Sequence, residues 1–424
     1  MRKNAIIFIS LAVLSFGLLG CPPKEGTGNT GTSAAGGDIL VGEYGSMTGG
    51  QATFGISTHN GIMMAADEIN AAGGINGRKI KILSEDDQSK PEEAPNAVTK
   101  LISKDNVLAI LGEVASSASI AAAPICQSNK VPMITPSSTN DAVTRKGDYI
   151  FRICFTDSYQ GGYQAVFADQ WCSMNGKPKT IAMLTDVKSD YSQGLKDFVT
   201  AKFTALGGKV VGTQGYAQGD SDFRSQLTAL KATNPSLLYV PGYYTDIGQI
   251  AIQARDLGIT VPLLGGDGWE SPKLIEIGGK ALEGCIYTNH YFYGDPAPVV
   301  STFVQKYKER YGQTPDSLAA LGYDAMKTLA DAMKRAAKLD GPSLRDAIAQ
   351  TKGLVGVTGT INIGPDRNAM GKSLVIEEIK NGQLTLKATI DPAKGGNVEM
   401  APATTTTGGP AKAPAAAPTT TTGG

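Results

Sequence analysis

Two hydrophobic rhythms alternate along this chain. Short apolar runs of strand type recur at Asp38–Tyr44, Lys79–Leu83, Val107–Leu111 and Val131–Ile134. Between them the apolar positions take helical spacing. Ile62, Ala65, Ala66 and Ile69 form one stripe within Gly55–Ala72, which Gly73 and Gly74 stop. Ala94, Ala97, Val98, Leu101 and Ile102 form another within Glu92–Ser103. Ser119–Asn129 predicts a third helix, with Pro124 as a kink.

A short strand at Tyr149–Phe155 leads away from this region, and a fresh alternation begins. Helices are predicted at Gln160–Trp171, Ser192–Leu206, Phe223–Ala232 and Asp246–Leu257. They interleave with strands at Thr180–Leu184, Lys209–Gly212, Ser236–Val240, Val261–Leu264 and Gly284–Asn289. Three helices follow at Pro298–Tyr311, Leu318–Ala337 and Pro342–Gln350. Strand pieces at Gly359–Ile363, Leu374–Ile379 and Leu384–Ala388 end the body. Strand–helix alternation of this kind predicts two doubly wound α/β lobes with largely parallel sheets.

Both ends of the chain depart from the pattern. Arg2 and Lys3 precede the apolar run Ala5–Leu19, which closes on Leu18-Leu19-Gly20-Cys21. A basic start, a short apolar stretch and small residues before a cut describe a secretory signal over residues 1–20. The run is short for a ~20-residue membrane span. Residues 21–37 are rich in Gly, Thr, Ser and Pro and read as a flexible tether. Residues 399–424 repeat Thr, Ala, Pro and Gly and read as a disordered tail.

Composition removes whole classes of function. Basic and acidic residues balance at 39 each, so no basic surface for nucleic acid is expected. The two histidines, His59 and His290, fall in no metal-binding spacing, and no phosphate-binding or nucleophile motif occurs, so neither cofactor nor metal is expected. Of the cysteines, Cys154 and Cys172 are the first candidates for a disulfide in an exported protein. The alternative makes Cys126, Cys154, Cys172 and Cys285 small buried apolar residues.

The candidate chemistry sits where strands end. The strand at Val107–Leu111 runs into Gly112-Glu113-Val114-Ala115-Ser116-Ser117, and the strand at Val131–Ile134 into Thr135-Pro136-Ser137-Ser138-Thr139-Asn140. Two parallel strands ending side by side would bring hydroxyls and helix N-termini together, which suits a carboxylate. The same residues could equally be helix N-caps. In the second alternation Gly265-Gly266-Asp267-Gly268-Trp269 follows a strand, and an acid there could meet a cation or hold its own loop in an Asx-turn. Tyr191, Tyr243 and Trp269 lie near strand ends, as ligand walls or as packing. Asp246 reads as an N-cap. A carboxylate pocket facing an acid has the polarity of an α-amino acid.

Several stretches resemble the leucine/isoleucine/valine-binding protein family, the solute-binding lipoproteins of branched-chain amino acid ABC transporters. They are DEINAAGGINGRKI (Asp67–Ile80), DDQSKPEEA (Asp86–Ala94), GEVASS, MITPSST, GYYTDIGQIAIQARDLG (Gly242–Gly258) and GGDGW. The resemblance implies a type I periplasmic-binding-protein fold, two lobes joined by three crossover strands. With it, lobe 1 is expected at 38–157 and 289–374, and lobe 2 at 158–288 and 375–398. It also implies a site: Ser116, Ser117, Thr139 and the backbone of Ser137 and Ser138 for a carboxylate, Asp267 for an ammonium, Tyr191 and Tyr243 as walls, Phe54 from the first loop, and Trp269 beside the acid. Family members often carry the longer Glu where Asp267 stands. The Leu-Leu-Gly-Cys ending resembles a lipobox, which implies lipid on Cys21 and a periplasmic or cell-surface protein anchored to a bacterial membrane. A monomeric binder, not an enzyme, that serves a membrane permease is the resulting expectation, with amides, urea and aromatic acids as alternative ligands.

Overall fold

The computed structural model describes residues 37–401. The signal segment, Cys21, almost all of the tether and the tail beyond residue 401 lie outside them. Among the described residues no helix is long and apolar enough to cross a membrane.

The first lobe opens with β1 (Ile39–Gly45), α1 (Ala52–Ala71), β2 (Ile80–Asp86), α2 (Ala94–Ser103), β3 (Ala109–Leu111), α3 (Ser116–Asn129), β4 (Met133–Thr135) and β5 (Ile150–Arg152). Its five strands are parallel in the order β2-β1-β3-β4-β5. The chain then crosses to the second lobe. There α4 (Asp157–Met174), β6 (Thr180–Asp186), α5 (Asp190–Ala205), β7 (Lys209–Tyr216), α6 (Arg224–Ala232), β8 (Leu237–Tyr239), α7 (Tyr244–Asp256), β9 (Leu263–Gly265), α8 (Pro272–Gly278) and β10 (Ile286–Asn289) follow.

A second crossover returns the chain to lobe 1 for α9 (Pro298–Tyr311), α10 (Ser317–Arg335), α11 (Gly341–Ala349) and the small hairpin of β11 (Leu354–Gly356) and β12 (Gly359–Ile361). A third leads into β13 (Leu374–Lys380), β14 (Gln383–Ile390) and β15 (Val398–Met400), which add antiparallel strands beside β10. The second sheet therefore runs β15-β14-β13-β10-β9-β8-β6-β7. Its parallel half repeats the strand order of lobe 1. Strand β15 takes residues 399 and 400 into the sheet, beyond the point where the hydrophobic rhythm ended the folded body.

Burial explains why the two rhythms were readable. The stripe of α1 (Ile62, Ala65, Ala66, Ile69) packs with Leu321, Ala325 and Leu329 of α10 and with Val41, Leu111 and Ile134 of the sheet in one core. Lobe 2 builds a separate core from Leu195, Val199 and Phe203 of α5, Ile247, Ile250 and Ala254 of α7, and the strands between them. Cys126, Cys154, Cys172 and Cys285 are all buried and unpaired. The Cys154–Cys172 disulfide is thus absent, and each thiol fills core space as a small apolar group.

Candidate functional site

Parallel pairing of β3 with β4 sets Leu111 beside Ile134, so the loops that leave them run together. Helix α3 starts at Ser116, three residues before the start that the sequence predicts at Ser119. Ala115, in extended backbone, occupies the cap position and offers no side-chain bond. The hydroxyls are therefore not caps. Ser116 Oγ accepts the Asn140 N–H at 3.1 Å, and Ser137 Oγ donates to the Val114 carbonyl at 3.2 Å. Each loop holds the other.

Glu113, fully buried, ties the two together from below. Its carboxylate accepts the Ser46 N–H and Oγ–H, both at 3.0 Å, and the Ala115 N–H. Its carbonyl accepts the hydroxyls of Thr135 at 2.6 Å and Ser138 at 2.9 Å. Burial, then the neighbouring Asp87 carboxylate, pushes the Glu113 carboxyl well above its ordinary range. Asp87 is likewise pushed up by burial, to about 6. The Ser46 hydroxyl lies within reach of both acids, 3.0 Å from Glu113 and 3.2 Å from Asp87.

Across the cleft Asp267 begins a single 3-10 turn after β9. Its Oδ1 accepts Gln160 Nε2 at 2.7 Å and the Tyr191 hydroxyl at 2.9 Å, and its Oδ2 lies 3.0 Å from His290 Nε2. Gln160 Oε1 in turn accepts the Asp267 N–H at 3.0 Å, and the Tyr191 oxygen accepts the Gly268 N–H at 3.0 Å. The flanking glycines make room for these partners. A Cβ on Gly266 would sit 2.3 Å from the Tyr191 oxygen and 2.6 Å from Gln160 Oε1. Burial, then the Asp267 charge, pushes the Tyr191 hydroxyl well above the ordinary phenol value.

Between the two ends lies a small cavity, lined by Phe54, Val114, Ser116, Ser137, Thr139, Tyr191, Tyr243, Asp267, Gly268 and Leu318. Seven of these are residues expected from the sequence. Tyr191 and Tyr243 stack at 5.3 Å, and Phe54 meets Tyr243 edge-on at 5.8 Å. Hydrogen bonds also cross the cleft directly. Thr53 Oγ1 is 2.9 Å from Ser271 Oγ, the Thr53 N–H donates to the Tyr244 oxygen at 3.3 Å, and Asn140 Nδ2 donates to the Asp190 carbonyl at 2.7 Å.

Four expectations are corrected by this geometry. Ser117, one helix position past Ser116, turns away from the cavity, donates to Asp190 Oδ2 at 2.8 Å and accepts the Asp190 N–H at 3.0 Å. It joins the lobes instead of lining the pocket. Ser138 is buried, its backbone N–H already donated to Thr135 Oγ1 at 3.0 Å and its hydroxyl on the Glu113 carbonyl. Trp269 lies beneath the site: its indole N–H donates to the Val240 carbonyl at 3.0 Å, and its ring fills the place a Cβ on Gly265 would need. Asp246 sits inside the first turn of α7, where Tyr243 takes the cap position. Its Oδ1 accepts the Gly219 N–H at 3.1 Å, and burial pushes its carboxyl up to about 7.

Sequence reasoning missed Val114 and Leu318 as walls, and Gln160 and His290 as the groups around Asp267. A glutamine in an amphipathic helix and a lone histidine after a strand carry no local signal. Only the meeting of α4 with β10 gives them a purpose.

Comparison with known proteins agrees with this fold. Residues 38–383 match the family model described as periplasmic binding protein. The Leu/Ile/Val-binding protein homolog 1 of Brucella suis biovar 1 is 31% identical over 354 residues, 82% of this chain and 89% of that protein. The crystal structure of the leucine binding protein LivK from Thermotoga maritima superposes with a TM-score of 0.79 at 42% identity, covering 84% of this chain and 99% of that one. The branched-chain amino acid transporter substrate binding protein LivJ from Streptococcus pneumoniae, solved in complex with isoleucine, gives 0.77 at 30% identity, with 84% and 100% covered. Fold, strand-end cleft and sequence together place this chain in the periplasmic binding protein family.

Proposed function

We propose that this protein is the extracytoplasmic solute-binding subunit of an ABC importer, and that it captures a branched-chain α-amino acid between its lobes for a membrane permease. One observation carries the assignment: a small cavity has neutral hydroxyls and a helix N-terminus at one end, a buried carboxylate at the other, and apolar walls between. The α-carboxylate is assigned to Ser116, Ser137 and Thr139, and the α-ammonium to Asp267. Tyr191 and Tyr243 flank the ligand, and Phe54, Val114 and Leu318 surround its side chain. The ligand leaves unchanged, and the protein works as a lipid-anchored monomer through Cys21.

Calorimetry with leucine, isoleucine and valine, alongside glutamate, benzoate and acetamide, tests the assignment. Saturable binding of at least one branched-chain amino acid, in preference to the other three, is expected. Preference for benzoate or acetamide would refute it. The anchor has its own test: Cys21→Ser is expected to release the protein from the membrane fraction with ligand affinity unchanged.

A further inference from the structure

A carboxylate offers about four acceptor positions, two on each oxygen. On Asp267, Gln160 and Tyr191 take both positions of Oδ1, and His290 takes one on Oδ2. Among the described residues nothing takes the last. Asp267 is 8% exposed and lines the cavity, so that remaining position on Oδ2 is the one open to a cation.

His290 determines which position stays open. The residue is 3% exposed, and its Nδ1 has no hydrogen-bond partner among the described residues. With no acceptor at Nδ1, the tautomer that satisfies the pair carries its proton on Nε2 and donates it to Asp267. A proton on Nδ1 would be a buried donor without a partner. The imidazole stacks on Phe155 at 3.9 Å between centroids and 22° between planes. Phe155 belongs to the first crossover, between β5 and α4, and His290 follows β10 on the second. Its ring is thus clamped against one crossover while it belongs to another, and its one N–H fixes the plane of the Asp267 carboxylate.

From this we infer that His290 is a positioning residue for ammonium recognition, and that it sets how strongly the site prefers an α-amino acid over the corresponding des-amino acid. The inference rests on Asp267 as the ammonium partner. The shorter aspartate side chain makes the role necessary: with fewer rotatable bonds than glutamate it cannot reach for the ligand, so its open lone pair must already point into the cavity. Gln160 and Tyr191 hold Oδ1, but among the described residues only His290 constrains Oδ2.

Calorimetry on wild type, His290→Phe and His290→Gln decides the matter, with leucine and 4-methylpentanoate as ligands and the latter measured by displacement where weak. His290→Phe keeps an aromatic ring against Phe155 and removes the donor. Leucine affinity is expected to fall about tenfold, as for a lost hydrogen bond to a charged group, with 4-methylpentanoate affinity unchanged. His290→Gln, which carries an N–H donor, is expected to recover part of the loss. An equal loss for both ligands would mean that His290 only supports the fold, and no loss would mean that Asp267 is positioned without it. Either result overturns the inference. If wild type itself binds both ligands equally well, the ammonium role of Asp267 fails first, and that result is distinct from either.

Discussion

The two ends of the cavity solve opposite problems. At the lobe 1 end no side chain that lines the cavity is ionisable: Ser116, Ser137 and Thr139 are neutral, and the acid that organises them, Glu113, lies a layer below. At the lobe 2 end the charge lines the cavity, and the neutral groups Gln160 and Tyr191 stand around it. An anion can be shared among several weak donors. A single ammonium in a buried site depends on one counter-charge. The first end is therefore distributed, and the second concentrated.

The concentrated end is expected to break hardest. Asp267→Asn keeps the size and removes the charge, and loss of one partner from a buried pair costs about 2–5 kcal/mol. Leucine affinity should drop at least about thirtyfold, while 4-methylpentanoate is spared, as calorimetry would read. Asp246→Asn serves as the matched control with a far smaller effect, since that acid only holds the Gly219 N–H. At the distributed end, Ser116→Ala and Thr139→Ala should each cost about tenfold. These two should weaken leucine and 4-methylpentanoate alike, because both ligands carry the carboxylate. A difference between the two ligands would reverse the assignment of the ends.

A smaller effect is expected at Ser117, which bonds Asp190 and not the cavity. Ser117→Ala should lower affinity for both ligands only a few-fold, roughly the net worth of one hydrogen bond. The change should appear chiefly as faster dissociation in stopped-flow traces. A loss as large as that of Ser116→Ala would return Ser117 to the ligand.

A separate effect concerns stability and pH. Burial raises the Asp87 carboxyl to about 6 in the fold. Its contribution to stability is complete below the unfolded value and is lost as pH rises through about 6. Unfolding free energy should therefore decline from about pH 4 to about pH 7, and Asp87→Asn should flatten that decline in urea titrations. An identical slope in the variant would show that Asp87 does not carry the pH response.

The same contrast explains what could be read from the sequence. The lobe 1 end comes from two loops, 112–117 and 135–140, each following a short apolar run, so both its position and its hydroxyl chemistry are local. The lobe 2 end draws Gln160, Tyr191, Asp267 and His290 from distant parts of the chain; Asp267, between glycines, and Tyr191, near a strand end, carry a local mark, and Gln160 and His290 carry none. Errors arose where local chemistry was right and direction was not. Ser117 differs from Ser116 by one helix position, enough to aim it at the other lobe. Trp269 sits beside the acid in sequence but beneath it in space, because Gly265 leaves a slot for the indole. The helical stripe placed the body of α3 but not its start, since a cap made by extended Ala115 leaves no side-chain signature.

The hydrogen bonds that cross the cleft bear on time as well as on affinity. Thr53, Ser117 and Asn140 are the immediate neighbours of Phe54, Ser116 and Thr139, yet their bonds go to Ser271, Tyr244 and Asp190 of the opposite lobe. A bound molecule can leave only after bonds it does not itself make have opened. Its dwell time is then governed in part by contacts that are the same for every ligand the cavity accepts. Discrimination rests with the walls and the two polar ends, while the clock for release is wound by the rim.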